Sequence, residues 1–431
     1  MNIRPHVCAA ALLLGAVVPA FSYSVLSHEA IVDALWDVRI KPILLDRYPG
    51  ANADQLRVAH AYAFGGSIIQ DMGYYPYGNK FFSDLTHYVR SGDFVENLIA
   101  DSKDLNDYAF ALGALSHYAS DDYGHRLTTN RAVPMLYPKL QRKFGDVVTY
   151  EDDPLAHLRT EFGFDVLELA RGHFASSAYH DMIGFEVAKP LLEQAFRDTY
   201  SIELSSVVEH LDRALGSYRH AVSKTIPNAT KIAWAQRKDE IEKSAPGTTR
   251  RRFLYNISRS SYEKEWGRDY QRPGIGSRIL AFLLRLIPKV GPLKALAFHM
   301  PSPEVEKLFM QGFNESVSHY RTTLDQADQR KLNLPNTNFD TGMLVKPTAY
   351  QLADRTQAKY LHILAQNGFA NVSPGVKAEI LRYYSDLKLP FYTKKNSKEW
   401  AELVAELQQL KNAPVAAPAK TAPEKGSVPA S

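Results

Sequence analysis

Apolar residues recur along most of this chain with the spacing of one face of an α-helix. Ser27 is followed by apolar positions at Ile31 and Leu35, which predicts an amphipathic helix that begins near Ser27. Helical apolar spacing also runs through residues 205–226, as expected for a helix that packs on a core. No alternating apolar and polar run is long enough to predict a β-sheet. The pattern therefore predicts an all-α fold.

Breaks in this pattern indicate how the chain is divided. Residues 126–150 carry Pro134 and Pro138 and are predicted to form a loop. One further helix and an Asn/Asp/Gly-rich loop at 334–342 are expected before a helical C-terminal region. The predicted division is a signal peptide at 1–22, a main domain at 23–243, an insertion at 244–345, a helical region at 346–411 and a disordered tail at 412–431.

Within the predicted insertion, the segment 278–298 is strongly apolar. Pro288 and Pro292 interrupt it, so it is too broken to span a bilayer. Two interpretations stay open for this segment. The default is a buried helix pair, and the alternative is an interfacial segment that inserts into lipid with its cations at head-group level.

The N-terminus predicts export. Arg4 precedes an apolar run from Val7 to Val18 and a small-residue site ending near Ser22, which is the pattern of a cleaved signal peptide. Cys8 is the only cysteine and lies inside this segment, so the exported protein would have no thiol ligand and no disulfide. His, Asp, Glu and backbone groups would then hold any transition metal, and this donor set suits zinc. We expect a periplasmic or extracellular location.

Composition indicates a large folded protein with a weak overall field. The chain has 431 residues, of which 45% are hydrophobic, and a net charge of only +4. Because nucleic-acid binding normally needs a marked basic surface, we expect no nucleic-acid partner.

The central chemical feature is a column of three potential metal ligands. His117, Asp121 and His125 are spaced four residues apart, so on a helix they lie one turn above each other on one face. His157 and Glu161 form a second pair at the same spacing. A buried histidine is usually structural, but several ligand types in register favour a metal site.

Other potential ligands precede this column. His28 lies in the first turn of the first predicted helix, Asp71 ends an apolar helix, and His87 follows in the next segment. The simpler alternatives are a polar first-turn residue, a helix cap and a structural histidine. Five of the 14 histidines thus lie near a carboxylate in sequence or in helical register. The others between residues 60 and 220 are predicted to be structural: His60, His173, His180, His210 and His220.

Aromatic residues are concentrated between Asp71 and His87. Such residues are most often ordinary core, yet next to a metal site they could line a pocket for a substrate head group. The predicted substrate-binding residues are Tyr74, Tyr75, Tyr77 and Phe82.

With these ligands, residues 23 to about 165 resemble the zinc-dependent phospholipase C family and its relatives, the single-strand nucleases and the glycosylphosphatidylinositol-specific phospholipase D. The resemblance implies a multi-helix domain with three zinc ions, followed here by a helical C-terminal extension. It implies a first site at Asp71, His87, His117 and Asp121, a second at His125, His157 and Glu161, and a third at the mature N-terminal residue Tyr23 with His28 and the bridging Asp121.

The resemblance also implies the chemistry. Zinc ions would activate water for attack on phosphorus, and Asp71 would orient or deprotonate that water. Asp122 is out of register and is expected to support the ligands or cap the helix. The spacing from His117 through Asp121 to His125 is shorter than in the bacterial phosphatidylcholine hydrolases and is similar to that of the phospholipase D group.

We therefore expect an exported, zinc-dependent phospholipase C-type phosphodiesterase that acts on phospholipids at a membrane surface, with no obligate protein partner. The first alternative is a single-strand nuclease-like or phospholipase D-type phosphodiesterase on the same fold. The second is an inactive metal-binding module that associates with membranes.

Overall fold

The computed structural model describes residues 25–172, 185–222, 226–253 and 298–415. Tyr23, the predicted signal peptide, almost all of segment 278–298 and the end of the predicted tail lie outside these residues. The all-α prediction is confirmed, because the described residues form helices joined by short connections and one very small hairpin.

The N-terminal part of the fold contains every predicted metal ligand that is described. Its helices are α1 (Val25–Leu35), α2 (Lys41–Arg47), α3 (Ala53–Ile69), α4 (Lys80–Tyr88), α5 (Ser91–Asp101), α6 (Leu105–Gly124), α7 (Asn130–Leu136), α8 (Pro138–Phe144) and α9 (Pro154–Arg171). Two π-helical turns, Trp36–Ile40 and His125–Thr129, and a 3₁₀ turn, Gln70–Tyr74, lie between them.

The remaining described helices follow in order along the chain. They are α10 (Lys189–Tyr200), α11 (Leu204–Val207), α12 (Leu211–His220), α13 (Ile226–Ser244), α14 (Arg250–Phe253), α15 (Pro303–Asp328), α16 (Gln351–Gln366), α17 (Pro374–Tyr383) and α18 (Ser397–Asn412). A 3₁₀ turn, Tyr392–Lys395, precedes α18. Strands β1 (Thr337–Asn338) and β2 (Met343–Leu344) pair antiparallel between α15 and α16.

Helix α6 lies at the centre of the fold, between α3 and α15. Gly66 on α3 and Gly113 on α6 allow the two backbones to meet, because a Cβ atom at either position would overlap a carbonyl oxygen of the other helix. On the other side, the hydroxyl of Tyr320 on α15 donates to the carbonyl of Leu112, 2.9 Å away. The hydrophobic core is therefore continuous from the N-terminal helices into α15, although α15 falls in the predicted insertion.

The prediction of a loop at 126–150 was wrong, because both prolines are accommodated in helices. Pro138 occupies the first turn of α8, where a missing backbone N–H costs nothing. Pro134 lies inside α7 and cannot donate to the carbonyl of Asn130. That carbonyl instead accepts from the backbone N–H of Val148, at 2.9 Å.

Two further details differ from the sequence pattern. The predicted helix between 205 and 226 is interrupted between α11 and α12, although its apolar residues Val207, Val208, Leu211 and Leu215 are buried as expected. The two-residue strands were missed because they are too short to show an alternating pattern. Among the helices that the structure describes, none has the length and hydropathy required to cross a membrane.

The close contact between α3 and α6 can be tested with two glycine-to-alanine substitutions inside helices. We expect Gly113→Ala to destabilise the protein by roughly 1–3 kcal/mol, because the new Cβ overlaps the backbone of Ala63. Gly216→Ala is the matched control, since a Cβ there meets nothing within 4 Å, and we expect it to stabilise by about 0.5–1 kcal/mol. Chemical denaturation followed by circular dichroism measures both. Equal effects of the two substitutions would contradict the close-contact account.

Candidate metal centre

Five segments of the N-terminal part direct polar side chains into one interior region. The segments are α1, the 3₁₀ turn after α3, α4, α6 with its π-helical extension, and α9. Every residue in the set is at most 1% exposed: His28, Asp71, His87, His117, Asp121, His125, His157 and Glu161.

The first group surrounds the inner nitrogens of His87 and His117. The Nε2 atom of His87 lies 3.3 Å from Asp71 Oδ1 and 3.4 Å from Asp121 Oδ2. The Nε2 atoms of His87 and His117 are 3.4 Å apart. One potential ligand atom from each of Asp71, His87 and His117 lies within 4.8 Å of the others, as required for a shared cation.

His28 approaches the same region from α1. Its Nε2 atom lies 3.4 Å from Asp121 Oδ1 and 4.0 Å from Asp71 Oδ2. Its ring stacks on that of His117 with 4.4 Å between centroids. His28, His117 and Asp121 form a second potential metal-binding group. The two carboxylate oxygens of Asp121 therefore face different histidines, Oδ1 toward His28 and Oδ2 toward His87 and His117.

The third group combines His125, His157 and Glu161. Glu161 Oε1 lies 3.9 Å from His125 Nδ1 and 3.8 Å from His157 Nδ1. His125 is also the residue that joins this group to the others, because its Nε2 atom lies 3.8 Å from Asp121 Oδ2. The predicted column of His117, Asp121 and His125 is present, but a π-helical turn begins at His125.

Hydrogen bonds to the outer ring nitrogens orient three of the histidines. The Nδ1 atom of His87 lies 2.8 Å from the carbonyl of Ser83, and that of His117 lies 2.9 Å from the carbonyl of Ser67. Because a carbonyl can only accept, each Nδ1 carries a proton, and Nε2 is the ring nitrogen that faces the interior and can bind a metal once it has no proton.

His28 is fixed in the same tautomer by a hydroxyl. Ser120 Oγ donates to the carbonyl of His117 at 3.0 Å, so it accepts from His28 Nδ1, 2.8 Å away. His28 Nε2 is consequently the lone-pair atom that faces Asp121. An imidazole held this way by its outer nitrogen is typical of metal-binding histidines.

His157 has the opposite orientation. Its Nε2 atom donates to the carbonyl of Val148 at 2.6 Å, which leaves Nδ1 facing Glu161. His157 Nδ1 and both carboxylate oxygens of Glu161 have no hydrogen-bond partner among the residues that the structure describes. Burying such atoms without a partner is costly, and a cation between them would remove that cost.

Burial and the close contacts between imidazoles and carboxylates shift the pKa values of several side chains in this region. Burial opposes protonation of His87, but hydrogen bonds to Asp121 and Asp71 outweigh it and raise the pKa of His87 to about 10. Burial raises the pKa of Asp121, yet the imidazoles around it, first His117, hold that pKa well below its usual value. Burial and the nearby His125 lower the pKa of His157 to about 4, and burial with the nearby Asp121 raises the pKa of Glu161.

This donor set fits zinc. It consists of imidazole nitrogens and carboxylate oxygens without thiolates, it is buried, and its hydrogen bonds turn lone pairs inward. The overlap of two groups at His117 and the approach of His125 to Asp121 would bring several ions close together.

Comparison with known families agrees with this geometry. Residues 27–208 match the model of the family described as zinc dependent phospholipase C. This segment of the chain belongs to the family. Members of the zinc-dependent phospholipase C family are hydrolases, and all eight side chains of the metal centre lie inside the matched segment. No curated protein and no solved structure matched the chain in the same comparisons.

The four aromatic residues predicted to bind substrate lie in different environments. The Tyr74 ring is buried beside the candidate metal centre, and its centroid lies 6.0 Å from that of the His87 ring. Tyr75 is buried against Tyr218, and the ring of Phe82 packs on Phe196 in the core. Tyr77 is 68% exposed. Of the four, Tyr74 alone has a ring contact with one of the eight candidate ligands among the described contacts.

Several residues around the centre were not found by sequence reasoning. Tyr150 lies beside His157 at 6.1 Å between ring centroids, and Phe339 lies beside His87 at 5.3 Å. Phe339 follows the family segment by 131 residues, so no local spacing connects it with the candidate ligands.

Asp122, which was predicted to support the ligands or cap the helix, is close to Thr337 and outside the three groups. Burial raises the pKa of Asp122 to about 6, in line with a supporting role.

The protonation of His87 predicts a pH dependence for metal uptake. Metal-free His87, with a pKa of about 10, carries a proton at pH 8 that zinc must displace. Zinc affinity is therefore expected to rise with pH by up to about tenfold per unit between pH 6 and pH 9. Calorimetric titration at one pH in buffers of different ionisation enthalpy should show proton release. Affinity that does not change with pH, without proton release, would contradict this protonation state.

Proposed function

We propose that this chain is an exported zinc-dependent phosphodiesterase that hydrolyses phospholipids in the manner of a phospholipase C. The observation that carries the proposal is that three carboxylates and five histidines form three neighbouring potential ligand groups, two of which share His117, inside the segment matched to that family. Substrate class and hydrolytic chemistry follow from family membership. Export follows from the N-terminal sequence pattern.

The proposed centre holds three zinc ions. Asp71, His87, His117 and Asp121 would bind the first ion, and His125, His157 and Glu161 the second. Asp121 and His28 would bind the third together with the amine and carbonyl of Tyr23, which lies outside the described residues. The distances from both Asp121 oxygens to histidines support a bridging role for this carboxylate.

Zinc bound here would polarise the phosphoryl oxygens and make a bound water more acidic. The chain's own residues would then position the reactants. Asp71 is the proposed base: its carboxylate is buried beside His87, and burial raises its pKa above that of an ordinary aspartate, which suits a group that accepts a proton from water. Tyr74 is the proposed contact for the substrate, because it is the predicted aromatic residue beside the ligands.

A phospholipase D-type reaction on the same centre is the second candidate. It is favoured by one observation, the short spacing from His117 through Asp121 to His125, which is similar to that of the phospholipase D group. The two reactions cleave different bonds of the same phosphodiester, so their products identify them.

The bridging role of Asp121 predicts the outcome of a metal analysis. The mature protein should contain about three zinc ions per chain, and Asp121→Asn should lose more than one ion and all hydrolysis, because the carboxylate contacts more than one group. The control is His60→Gln, since His60 is also buried but pairs with Asp33 at 2.9 Å and stacks on Trp36, outside the centre. Elemental analysis and phosphate-ester assays would measure both variants. Full activity in Asp121→Asn would exclude the bridge.

Product analysis distinguishes the candidate reactions. We expect mixed phospholipid vesicles to yield diacylglycerol, whereas phosphatidic acid would identify the phospholipase D-type reaction. Nucleotides released from single-stranded DNA in a parallel assay, with no lipid product, would contradict a phospholipase.

A further inference from the structure

The turn between β1 and β2 contacts the metal centre, although it lies beyond the segment matched to the family. The ring of Phe339 is fully buried, with centroids 5.3 Å from His87 and 6.0 Å from His117. The backbone N–H of Phe339 also donates to the carbonyl of His87, at 3.2 Å. One residue thus has ring contacts with two candidate ligands of the same group.

The strand before Phe339 is anchored to the family segment. Tyr118 donates through its hydroxyl to the carbonyl of Pro335 at 2.9 Å, and Ser91 donates to the carbonyl of Thr337 at 2.7 Å. The side-chain oxygen of Asn336 accepts from the backbone N–H groups of Gly92 and Asp93, at 3.0 and 3.1 Å.

The residue after Phe339 is anchored equally well. The carboxylate of Asp340 accepts a hydrogen bond from the hydroxyl of Tyr88, the neighbour of His87, at 2.8 Å, and another from Tyr350. Its backbone N–H donates to the side chain of Asn338 at 2.9 Å. Gly342 closes the turn with φ +62°, and a Cβ there would overlap the carbonyl of Asp122. The conformation of the turn is therefore fixed on both sides of Phe339.

Asn130 connects this turn with the other end of the metal centre. Its side-chain amide donates to the carbonyl of Asp340 at 2.6 Å. The backbone carbonyl of Asn130 has no helical partner because Pro134 lacks an N–H, and it accepts from the N–H of Val148 at 2.9 Å. The carbonyl of Val148 then accepts from His157 Nε2 at 2.6 Å. A continuous path runs from Phe339 to the His157 group.

We propose that residues 336–342 support zinc binding at the metal centre. In this role Phe339 positions the rings of His87 and His117, and Asn130 connects the turn to His157. This inference rests on the proposed function only for the presence of zinc. The outer hydrogen bond of each imidazole fixes one end of the ring, and the Phe339 ring limits how far its plane can tilt. Groups behind the ligands that fix imidazole orientation commonly determine metal affinity.

The test is zinc affinity of the full mature chain, measured by competition with a chelating dye. Phe339→Ala should weaken zinc binding roughly 10–100-fold, as is typical when support behind ligands is lost. Phe391→Ala is the matched control: Phe391 is also buried, between Tyr384 and Trp400, and has no described contact with a candidate ligand. It should lower thermal stability without changing zinc affinity.

Asn130→Asp provides a second test that keeps the side-chain volume. It replaces the amide that donates to Asp340 with an oxygen, so it should weaken zinc binding by a smaller factor than Phe339→Ala. If Phe339→Ala does not fold, the zinc affinities of Phe339→Leu and Asn130→Asp provide the test. Both variants are expected to bind zinc more weakly than the unaltered protein.

Unchanged zinc affinity in the Phe339 and Asn130 variants would overturn the inference while leaving the proposed function intact. An equal loss of affinity in Phe391→Ala would overturn it as well, because general destabilisation would then explain the effect. Failure of the proposed function is seen separately, as an unaltered protein that binds no zinc.

Discussion

The structure depends on how one buried carboxylate is accommodated. Asp121 is inaccessible to solvent and lies within 4 Å of imidazole nitrogens from His28, His87, His117 and His125. An ion at such depth is stable only when opposite charge compensates it. The outer hydrogen bonds of three of these imidazoles turn one nitrogen of each ring toward Asp121, so a metal cation bound to those nitrogens would compensate the charge. A bound cation would account for the burial of so many polar groups in this region.

The fold provides the fixed oxygens that hold these imidazoles. Close contact at Gly66 and Gly113 brings the end of α3 against α6, which places the carbonyl of Ser67 behind His117. Pro134 has a comparable effect near His157. It leaves the backbone carbonyl of Asn130 free to accept from Val148 N–H, and the carbonyl of Val148 accepts from His157 Nε2. Backbone carbonyl groups outside the candidate ligands thus orient the imidazoles of His117 and His157.

Sequence reasoning identified the fold class and the residues that the structure brings together, for different reasons. The column at His117 and the pair at His157 follow from helical spacing, which is local. The grouping of Asp71 and His87 with them came from the family resemblance, and their ligand roles stay predictions, as does that of Tyr23. Phe339 and Asn130 could not be predicted, because Phe339 contacts His87 and His117, and Asn130 contacts Asp340, across gaps of at least 210 residues. Phe82 was proposed for substrate, but aromatic clustering alone does not distinguish core from pocket.

The most direct test is a crystal structure of the mature protein with anomalous diffraction data collected on both sides of the zinc absorption edge. The account predicts zinc peaks at three positions: between His87 and His117, between His28 and Asp121, and between His157 and Glu161. Zinc bound only at surface residues, or a fully ordered centre without metal in zinc-saturated crystals, would contradict it.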